Sequence, residues 1–307
     1  MNPVKGILLK LCAVLLFITM ASLIKAVAGR VPPGEAVFFR SFLALPVILT
    51  WLALRGDLRT GLRVKSLMSH FWRGFVGTVA MGCGFAALGL LPLPEVTALG
   101  YAAPLLTVIF AAMFLGEEVR AFRLSAVALG LVGVLIVLSP RLTLLEGETV
   151  ETGAAIGAIL VLLGAVCAAL AQIYIRKMVA TEQTSAIVFW FSITSSLLAL
   201  LTLPFGWVMP TGSEAVLLVL AGLLGGLGQI FLTSSYRFAD ASVVAPFDYA
   251  SMIFALGIGY FVFDEVPTLT MLGGAALVIL AGVLIILREH RLGLERGRAR
   301  KNMTPQG

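Results

Sequence analysis

EVTALGYAAPLLTVIFAAMFLGEEV at residues 95–119 is similar to a second stretch of the chain, SVVAPFDYASMIFALGIGYFVFDEV at residues 242–266. Both stretches are apolar, and both end in an acidic residue followed by valine. Each leads into a further similar stretch, GLVGVLIVL at 130–138 and ILAGVLIIL at 279–287. Internal similarity of this kind predicts that the two halves of the chain share one arrangement of helices.

The composition indicates which solvent surrounds this chain. Hydrophobic residues make up 60% of the 307 residues, charged residues make up 12%, and the mean hydropathy is +1.04. A soluble domain carries roughly 25% charged residues, so the composition favours a lipid bilayer over water. The formal net charge of +6 does not indicate nucleic-acid binding, because the basic residues lie in short loops without interleaved aromatic residues.

Ten apolar runs have about the 20-residue length that a helix needs to cross a bilayer. They predict an all-α membrane protein with ten transmembrane helices joined by short connections. We do not expect the first run to be a cleaved leader, because it is long for one and Lys25 lies beside the only matching cleavage site. The predicted helices are 7–27, 34–53, 72–91, 95–115, 124–140, 154–175, 185–205, 214–236, 241–263 and 268–288.

The ten helices divide into two repeats of five, at residues 7–140 and 154–288. Because five is odd, the second repeat enters the membrane from the opposite side, and the repeats are therefore inverted. Residues 289–307 form a basic tail that we expect to be cytoplasmic and disordered.

The positions of the basic residues predict the orientation. Most of the 22 lysines and arginines fall in the connections that share a side with both termini, whereas the connection at 141–153 is acidic. The positive-inside rule therefore places both termini in the cytoplasm. We expect a multi-pass protein of the cell inner (plasma) membrane, in contact with the lipid bilayer.

Five-plus-five inverted helices, the arginine in VFFRSF at 37–42, and the glutamates at the ends of the fourth and ninth helices (Glu118 and Glu265) resemble the drug/metabolite transporter superfamily. In this resemblance the EamA-type domain occurs twice. It implies a substrate cavity surrounded by helices from both halves and transport by alternating access.

Within the superfamily, three segments are most similar to the bacterial riboflavin transporters: KGILLKL at 5–11, RVPPGEAVFFRSF at 30–42 and LLPLPEVTALGYAAPLLTVIFAAMFLGEEV at 90–119. This closer resemblance implies riboflavin as the small-molecule substrate, carried inward by secondary or facilitated transport.

Arg40 is a candidate substrate-binding residue because it lies inside the second predicted helix. An ionisable residue within a bilayer costs roughly 2.5–3.5 kcal/mol on insertion scales and is a functional candidate by default. The competing interpretation is a structural clamp on backbone carbonyls or on Glu35 or Glu95. Lys25 and Arg73 lie closer to helix ends, where their charged groups are expected to extend to the membrane surface.

Asp248 is a second candidate, since it follows Pro246 inside the ninth helix. Tyr101, before Pro104 in the fourth helix, occupies the equivalent position in the first repeat, and Tyr249 adjoins Asp248. Proline inside a spanning helix frees a backbone carbonyl and is tolerated where the helix lines a cavity. The two prolines therefore favour a site between these helices, although an interhelical hydrogen bond explains the polar groups equally well.

Gln172 in the sixth helix and Gln229 in the eighth are further candidate substrate-binding residues. Polar side chains in apolar helices more commonly form interhelical hydrogen bonds, worth about 0.6 kcal/mol. The glycine-rich faces favour close helix packing, and a homodimer through those faces is left open.

No enzyme signature is present. The chain has no HExxH, CxxC or GxSxG motif and no nucleotide-binding loop. The two histidines, His70 and His290, are assigned to a loop and to the tail, so we predict no metal, no cofactor and no catalytic residues. The alternatives to riboflavin are transport of an amino acid or amine, with Arg40 binding a carboxylate or Asp248 an ammonium group, and a non-transporting membrane scaffold.

Overall fold

The computed structural model describes residues 3–58, 60–115, 121–142, 149–179, 181–238 and 245–302. Within these ranges the chain forms ten helical spans and no strand. Spans 1 to 5 are Pro3–Val27, Pro33–Phe42 with Ala44–Leu54, Leu67–Leu88, Leu93–Gly100 with Ala102–Leu115, and Ala121–Leu142. Spans 6 to 10 are Thr149–Val179, Thr184–Leu200, Gly212–Phe238, the 3₁₀ turn Ala245–Tyr249 with Ala250–Phe263, and Leu269–Asn302.

The predicted all-α class and the count of ten helices agree with the described residues. Spans 1, 2, 3, 4, 6 and 8 are long and apolar enough to cross a membrane. The other four contain shorter apolar stretches, at Leu124–Ser139, Ser185–Leu200, Phe247–Phe263 and Leu269–Leu284.

Several predicted boundaries differ from the structure, and two of the differences have a clear physical cause. Span 3 begins at Leu67 rather than at residue 72, because the Ser66 hydroxyl caps the helix by accepting a hydrogen bond from the Ser69 amide at 3.4 Å. The prediction began too late because Ser69 and His70 in this first turn lower the local hydropathy below that of a spanning helix. The tail from Arg288 was expected to be disordered, but span 10 continues as helix to Asn302. Its arginines, glutamates and leucines are strong helix formers, which explains the difference.

Spans 2 and 4 are each broken by a proline. Span 2 is interrupted at Leu43, directly after Phe42, and span 4 at Tyr101, directly after Gly100. A proline ring clashes with the carbonyl four residues before it, and those carbonyls belong to Phe42 for Pro46 and to Gly100 for Pro104. Each proline thus ends the helical segment before it.

The spans pack in pairs. Span 1 packs along span 8, span 3 along span 6, and span 5 along span 10, while span 2 packs against span 7 and span 4 against span 9. We call the face of the bundle at which span 1 begins the near face and the opposite one the far face. The apolar core has one large cluster around spans 4, 5, 6 and 10, another around spans 1, 2, 3 and 8, and a small third one where the second half of span 2 meets span 7.

Spans 5 and 10 meet through glycine. A Cβ atom on Gly274 would lie 2.7 Å from the carbonyl oxygen of Gly133, and one on Gly133 would lie 2.8 Å from the carbonyl oxygen of Gly274. The two backbones are therefore in direct contact, a geometry that small residues permit between membrane helices. The adjacent Gly273 has no atom within 4 Å of the equivalent position.

We expect Gly274→Ala to destabilise the protein and Gly273→Ala to leave its stability nearly unchanged. Overpacking of a filled contact costs roughly 1–3 kcal/mol, and only the methyl group at position 274 meets such a contact. Gly273→Ala is the matched control, because it adds the same methyl group to the same helix in open space. Thermal unfolding of the two purified variants in detergent measures the difference. Equal unfolding temperatures would show that the spans do not touch at Gly274.

Candidate substrate-binding site

Arg40 lies in the interior of the bundle, as the sequence predicted. Its side chain is only 4% exposed and extends from span 2 towards span 8. There a Cβ atom on Gly225 would lie 3.1 Å from Arg40 Nε, so the absence of a side chain at Gly225 makes room for the guanidinium group. On its other side, Met20 of span 1 approaches the same glycine.

Arg73 is a second buried arginine, close to the first. Its guanidinium carbon lies 3.7 Å from the ring centre of Phe191 in span 7, and that of Arg40 lies 5.7 Å from the same ring. A cation within about 6 Å of a ring centre is attracted by the negative face of the ring. Gly77, one turn further along span 3, leaves the space that the Arg73 guanidinium and the Phe191 ring occupy.

Neither guanidinium group forms an ion pair with a carboxylate of the described residues. Nε and Nη1 of Arg40 and of Arg73 have no hydrogen-bond acceptor among the described residues, and the same is true of the Ser41 hydroxyl next to Arg40. A buried charge without a partner is strongly destabilising. The site therefore has an unmet requirement for a group that accepts hydrogen bonds and carries negative charge. We call Arg40, Arg73 and Phe191 the arginine pair site.

Among the described residues, Nε and Nη1 of Arg40 do not bind the backbone carbonyls or Glu35 that a structural clamp would use. Glu35 accepts a hydrogen bond from the Val208 amide at 3.0 Å instead. The expectation that Arg73 extends to the membrane surface was wrong, because its side chain turns into the bundle and is 8% exposed. His70 was assigned to a loop, but it lies in the first turn of span 3 and is 2% exposed.

Asp248 forms an ion pair with a residue that the sequence did not single out. Lys10 Nζ lies 2.7 Å from Asp248 Oδ1, and the side chain of Lys10 is 2% exposed while that of Asp248 is 48% exposed. The pair joins span 1 to the 3₁₀ turn of span 9. The sequence did contain a signal for this pair. Lys10 lies seven residues after the start of an apolar spanning helix, where a lysine requires a counter-charge.

Tyr101 and Tyr249 meet between spans 4 and 9. Their rings lie 5.0 Å apart at an interplanar angle of 72°. The Tyr101 hydroxyl lies 2.6 Å from the hydroxyl of Ser251, which donates in turn to the carbonyl of Asp248 at 2.7 Å. These contacts fix the 3₁₀ turn that carries Asp248.

The two glutamines lie in different surroundings. Gln229 is half-buried and lies one turn along span 8 from Gly225, on the same side of the helix as the Arg40 contact. Gln172 is exposed on span 6. Of the six predicted site residues, Arg40 and Gln229 thus lie in one region, Tyr101, Asp248 and Tyr249 in another, and Gln172 apart from both.

The far face is closed by ion pairs. Lys25 Nζ lies 2.8 Å from Glu265 Oε1 and also donates to the Leu91 carbonyl at 2.7 Å. The second carboxylate oxygen of Glu265 accepts from the Leu93 amide at 2.8 Å. The end of span 1 is thereby tied to spans 4 and 9, and Lys25 does not extend to the surface as expected. Glu118, the equivalent of Glu265, lies outside the described residues.

A small cavity adjoins this closure. It has a volume of about 190 Å³ and is lined by Pro92, Pro94, Glu95, Glu265 and Pro267, among others. Ligand pockets usually measure about 300–1,000 Å³, so this space is too small for a metabolite. This cavity therefore does not reach the size of a usual metabolite pocket.

Comparison with known protein families identifies the class of protein. The profile of the EamA-like transporter family matches residues 4–139 and again residues 155–288. The chain belongs to this family. As an EamA-like transporter it is a multi-pass protein of the inner membrane that carries a small molecule across the lipid bilayer.

Curated relatives of this EamA-like transporter have named substrates. The chain is 30% identical to the pseudopaline exporter of Pseudomonas aeruginosa over 91% of its own length and 95% of the exporter's. It is 27% identical to the S-adenosylmethionine uptake transporter of Rickettsia felis over 87% of each chain. A solved crystal structure covering 94% of the chain has the same fold, with a TM-score of 0.66 at 22% identity.

The asymmetric exposure of Lys10 and Asp248 predicts unequal effects of removing either residue. Asp248→Asn breaks the ion pair of the buried Lys10 ammonium group, and breaking a buried pair costs roughly 3–5 kcal/mol. Lys10→Met leaves a carboxylate that is already half-exposed, so we expect a smaller loss. The unfolding temperatures of the two variants in detergent measure this difference, and a greater loss in Lys10→Met would contradict the ion pair as described.

Proposed function

We propose that this EamA-like transporter binds an amino-acid-derived metabolite through carboxylate groups held between Arg40 and Arg73, and carries it across the inner membrane by alternating access. The observation that carries the proposal is the pair of buried guanidinium groups without an acidic partner among the described residues. A carboxylate supplies both the charge and the hydrogen-bond acceptors that these groups lack.

The geometry suits a carboxylate for three reasons. A guanidinium group presents planar donors that bind a carboxylate through two parallel hydrogen bonds. Both arginines face one ring, Phe191, so a bound ligand meets two cations and an aromatic face at once. The low polarity of the surroundings strengthens these interactions relative to water. The unpartnered Ser41 hydroxyl lies beside Arg40 and supplies a further donor.

The named relatives favour this substrate class. S-adenosylmethionine, which one relative takes up, bears the carboxylate and ammonium groups of an α-amino acid. Riboflavin is uncharged and has no carboxylate for the arginine pair site, and neither named relative carries it. Riboflavin uptake therefore stays a prediction with less support than a carboxylate substrate. An amine without a carboxylate is disfavoured because two buried cations repel it.

Alternating access requires the enclosed arginine pair site to open to each face in turn. Near the far face, the Lys25–Glu265 pair and the contact of Glu35 with Val208 tie the spans together. On the other side, Lys10 and Asp248 join spans 1 and 9 at a deeper level. We infer that these contacts break and re-form as the site opens, because each joins spans across the bundle.

We also propose that residues 7–140 and 154–288 are inverted five-helix repeats, with both termini cytoplasmic and the near face inside. The packing of the spans supports this. If each span of the first half is exchanged with its equivalent in the second half, the pair of spans 1 and 8 becomes the pair of spans 6 and 3. The pairs 2 and 7, 4 and 9, and 5 and 10 stay the same. Each of these pairs is present among the described residues. The basic residues of the connections on that face supply the orientation.

We expect ligands with carboxylates to stabilise the purified protein against heat. At a concentration of 100 Kd a ligand of the folded state adds about 2.7 kcal/mol, enough for a clear rise in unfolding temperature. Thermal unfolding is followed in detergent with L-glutamate, citrate, S-adenosylmethionine, riboflavin and putrescine. At least one of the first three should raise the unfolding temperature, and riboflavin and putrescine should not.

Variants of the arginines make this measurement specific. Arg40→Gln and Arg73→Gln should each abolish the rise, because each removes one of the two guanidinium groups. Arg55→Gln should retain it, since Arg55 is exposed and stacks on Trp51. A rise with riboflavin that persists in both arginine variants, or no rise with any of the three carboxylates, would overturn the proposal.

The orientation is tested by a reporter at the end of the chain. Green fluorescent protein fused after residue 307 should fluoresce, and alkaline phosphatase fused there should be inactive, because the first folds in the cytoplasm and the second requires the oxidising periplasm. The reverse pattern would place the near face outside.

A further inference from the structure

His70 is a buried histidine in the first turn of span 3. Neither of its ring nitrogens has a hydrogen-bond partner among the described residues. Nε2 lies 3.8 Å from Oε2 of Glu182, in the connection between spans 6 and 7. This distance is too long for a hydrogen bond but is within the range of an ion pair if His70 is protonated.

Glu182 is held in place by the backbone of the connection between spans 2 and 3. Its other carboxylate oxygen accepts hydrogen bonds from the amides of Lys65 at 2.7 Å and Ser66 at 3.2 Å, directly before span 3 begins. The carboxylate side chain is only 4% exposed. A buried acceptor with a fixed position thus faces a buried imidazole, a side chain that can take up a proton.

The histidine also lies beside the arginine pair site. Residues three apart on a helix share a face, with Cβ atoms about 5–6 Å apart, and His70 precedes Arg73 by three residues. The charged groups that face His70 among the described residues are Glu182 from the connection before span 7 and Arg73 from its own helix. Glu182 carries the charge opposite to that of an imidazolium group, and Arg73 carries the same charge.

We propose that His70 and Glu182 form the binding site for a coupling proton, and that the protein is a proton–carboxylate symporter. The inference rests on the function proposed above, because it requires that a carboxylate binds Arg73. The proton binds the free imidazole nitrogen and produces an imidazolium–carboxylate pair with Glu182, so no bond other than N–H is formed or broken.

The charges determine that the proton and the carboxylate are carried together. In the empty site, the positive charge of Arg73 opposes a second positive charge on His70. A carboxylate bound to Arg73 neutralises that charge and therefore makes protonation of His70 more favourable. Linkage is reciprocal, so the proton increases the affinity for the carboxylate by the same factor. Two ligands that promote each other's binding cross in the same direction, whereas antiport needs two ligands that exclude each other.

The packing around His70 connects the proton to the opening of the site. The Ser185 hydroxyl donates to the Gly61 carbonyl at 2.8 Å, and Trp190 Nε1 donates to the Leu62 carbonyl at 3.2 Å. These contacts and Glu182 fasten the start of span 7 to the connection before span 3. Since span 7 also carries Phe191, a protonated His70 strengthens the closure of the near face directly over the arginine pair site.

The test measures affinity against pH with the purified full-length protein. Binding of L-glutamate, citrate and S-adenosylmethionine is measured between pH 5.5 and 8.0, together with the protons taken up from a weakly buffered solution. Wild-type protein should bind at least one of these three carboxylates about 10-fold more tightly at pH 5.5 than at pH 8.0, which is a typical coupling between two sites. It should also take up protons from the solution as that carboxylate binds. In proteoliposomes with an acidic exterior, the same probe should accumulate inside.

Three variants separate coupling from folding. His70→Gln should bind with an affinity that no longer changes with pH and should take up no protons. Glu182→Gln should weaken the pH dependence in the same direction, because it removes the partner of the imidazolium. Lys65→Gln should keep the wild-type pH dependence, since its exposed side chain contributes only its backbone amide to Glu182.

The outcomes are distinguishable. Binding of a carboxylate that is independent of pH in the wild type, or a pH dependence that survives in His70→Gln, would overturn the symport inference and leave the proposed function intact. Absence of binding by all three probes at every pH would overturn the proposed function itself, and the inference with it.

Discussion

Two positive charges enclosed by apolar helices impose the main physical constraint on this bundle. The guanidinium groups of Arg40 and Arg73 are almost inaccessible and lack an acidic neighbour among the described residues, so the surrounding helices have to provide whatever stabilisation they receive before a ligand arrives. Phe191 contributes its negative ring face, and the glycines at 77 and 225 contribute room. Burying two unpaired cations raises the free energy of the empty protein, and a bound anion lowers it again. Binding energy is thus available to change the packing of the spans.

Span 1 is the element through which such a change has to pass. Its two interior lysines, Lys10 and Lys25, are separated by about 22 Å along the helix axis. Lys10 pairs with Asp248 in span 9, and Lys25 pairs with Glu265 just after the end of that span. Between these two levels, Met20 packs where Arg40 approaches span 8. A shift of span 1 at the arginine pair site therefore acts on both ion pairs, because the same helix carries both lysines.

The sequence predicted those features that depend on local chemistry. The ten helices follow from their apolar lengths. Pro104 was singled out from the sequence, and its ring acts on the carbonyl four residues earlier and breaks span 4. The break in span 2 at Pro46 has the same cause but was not predicted. Arg40 was predicted for a similar reason, since a charge in the middle of an apolar run has few explanations. Arg73 and His70 were misjudged because they lie near a helix end, where hydropathy alone does not distinguish a side chain that extends to water from one that turns inward. Only the packing of span 7 against span 3 decides that, through residues more than a hundred positions away in the chain.

The distance along the chain between the arginines and their aromatic neighbour has a consequence for biosynthesis. Arg40 and Arg73 are made well before Phe191, and at roughly 5–20 residues per second the gap between Arg40 and Phe191 lasts on the order of ten to thirty seconds. Span 3, which has the lowest mean hydropathy of the six long spans at 1.3, has to enter the bilayer during this interval with its charge uncovered. The insertion machinery or the earlier spans must therefore keep the arginines of spans 2 and 3 out of contact with lipid until the second half of the chain has been synthesised. A nascent chain that stops before span 7 therefore holds two unshielded cations in the membrane, and this distinguishes a truncated product from a finished one for the proteases that remove defective membrane proteins.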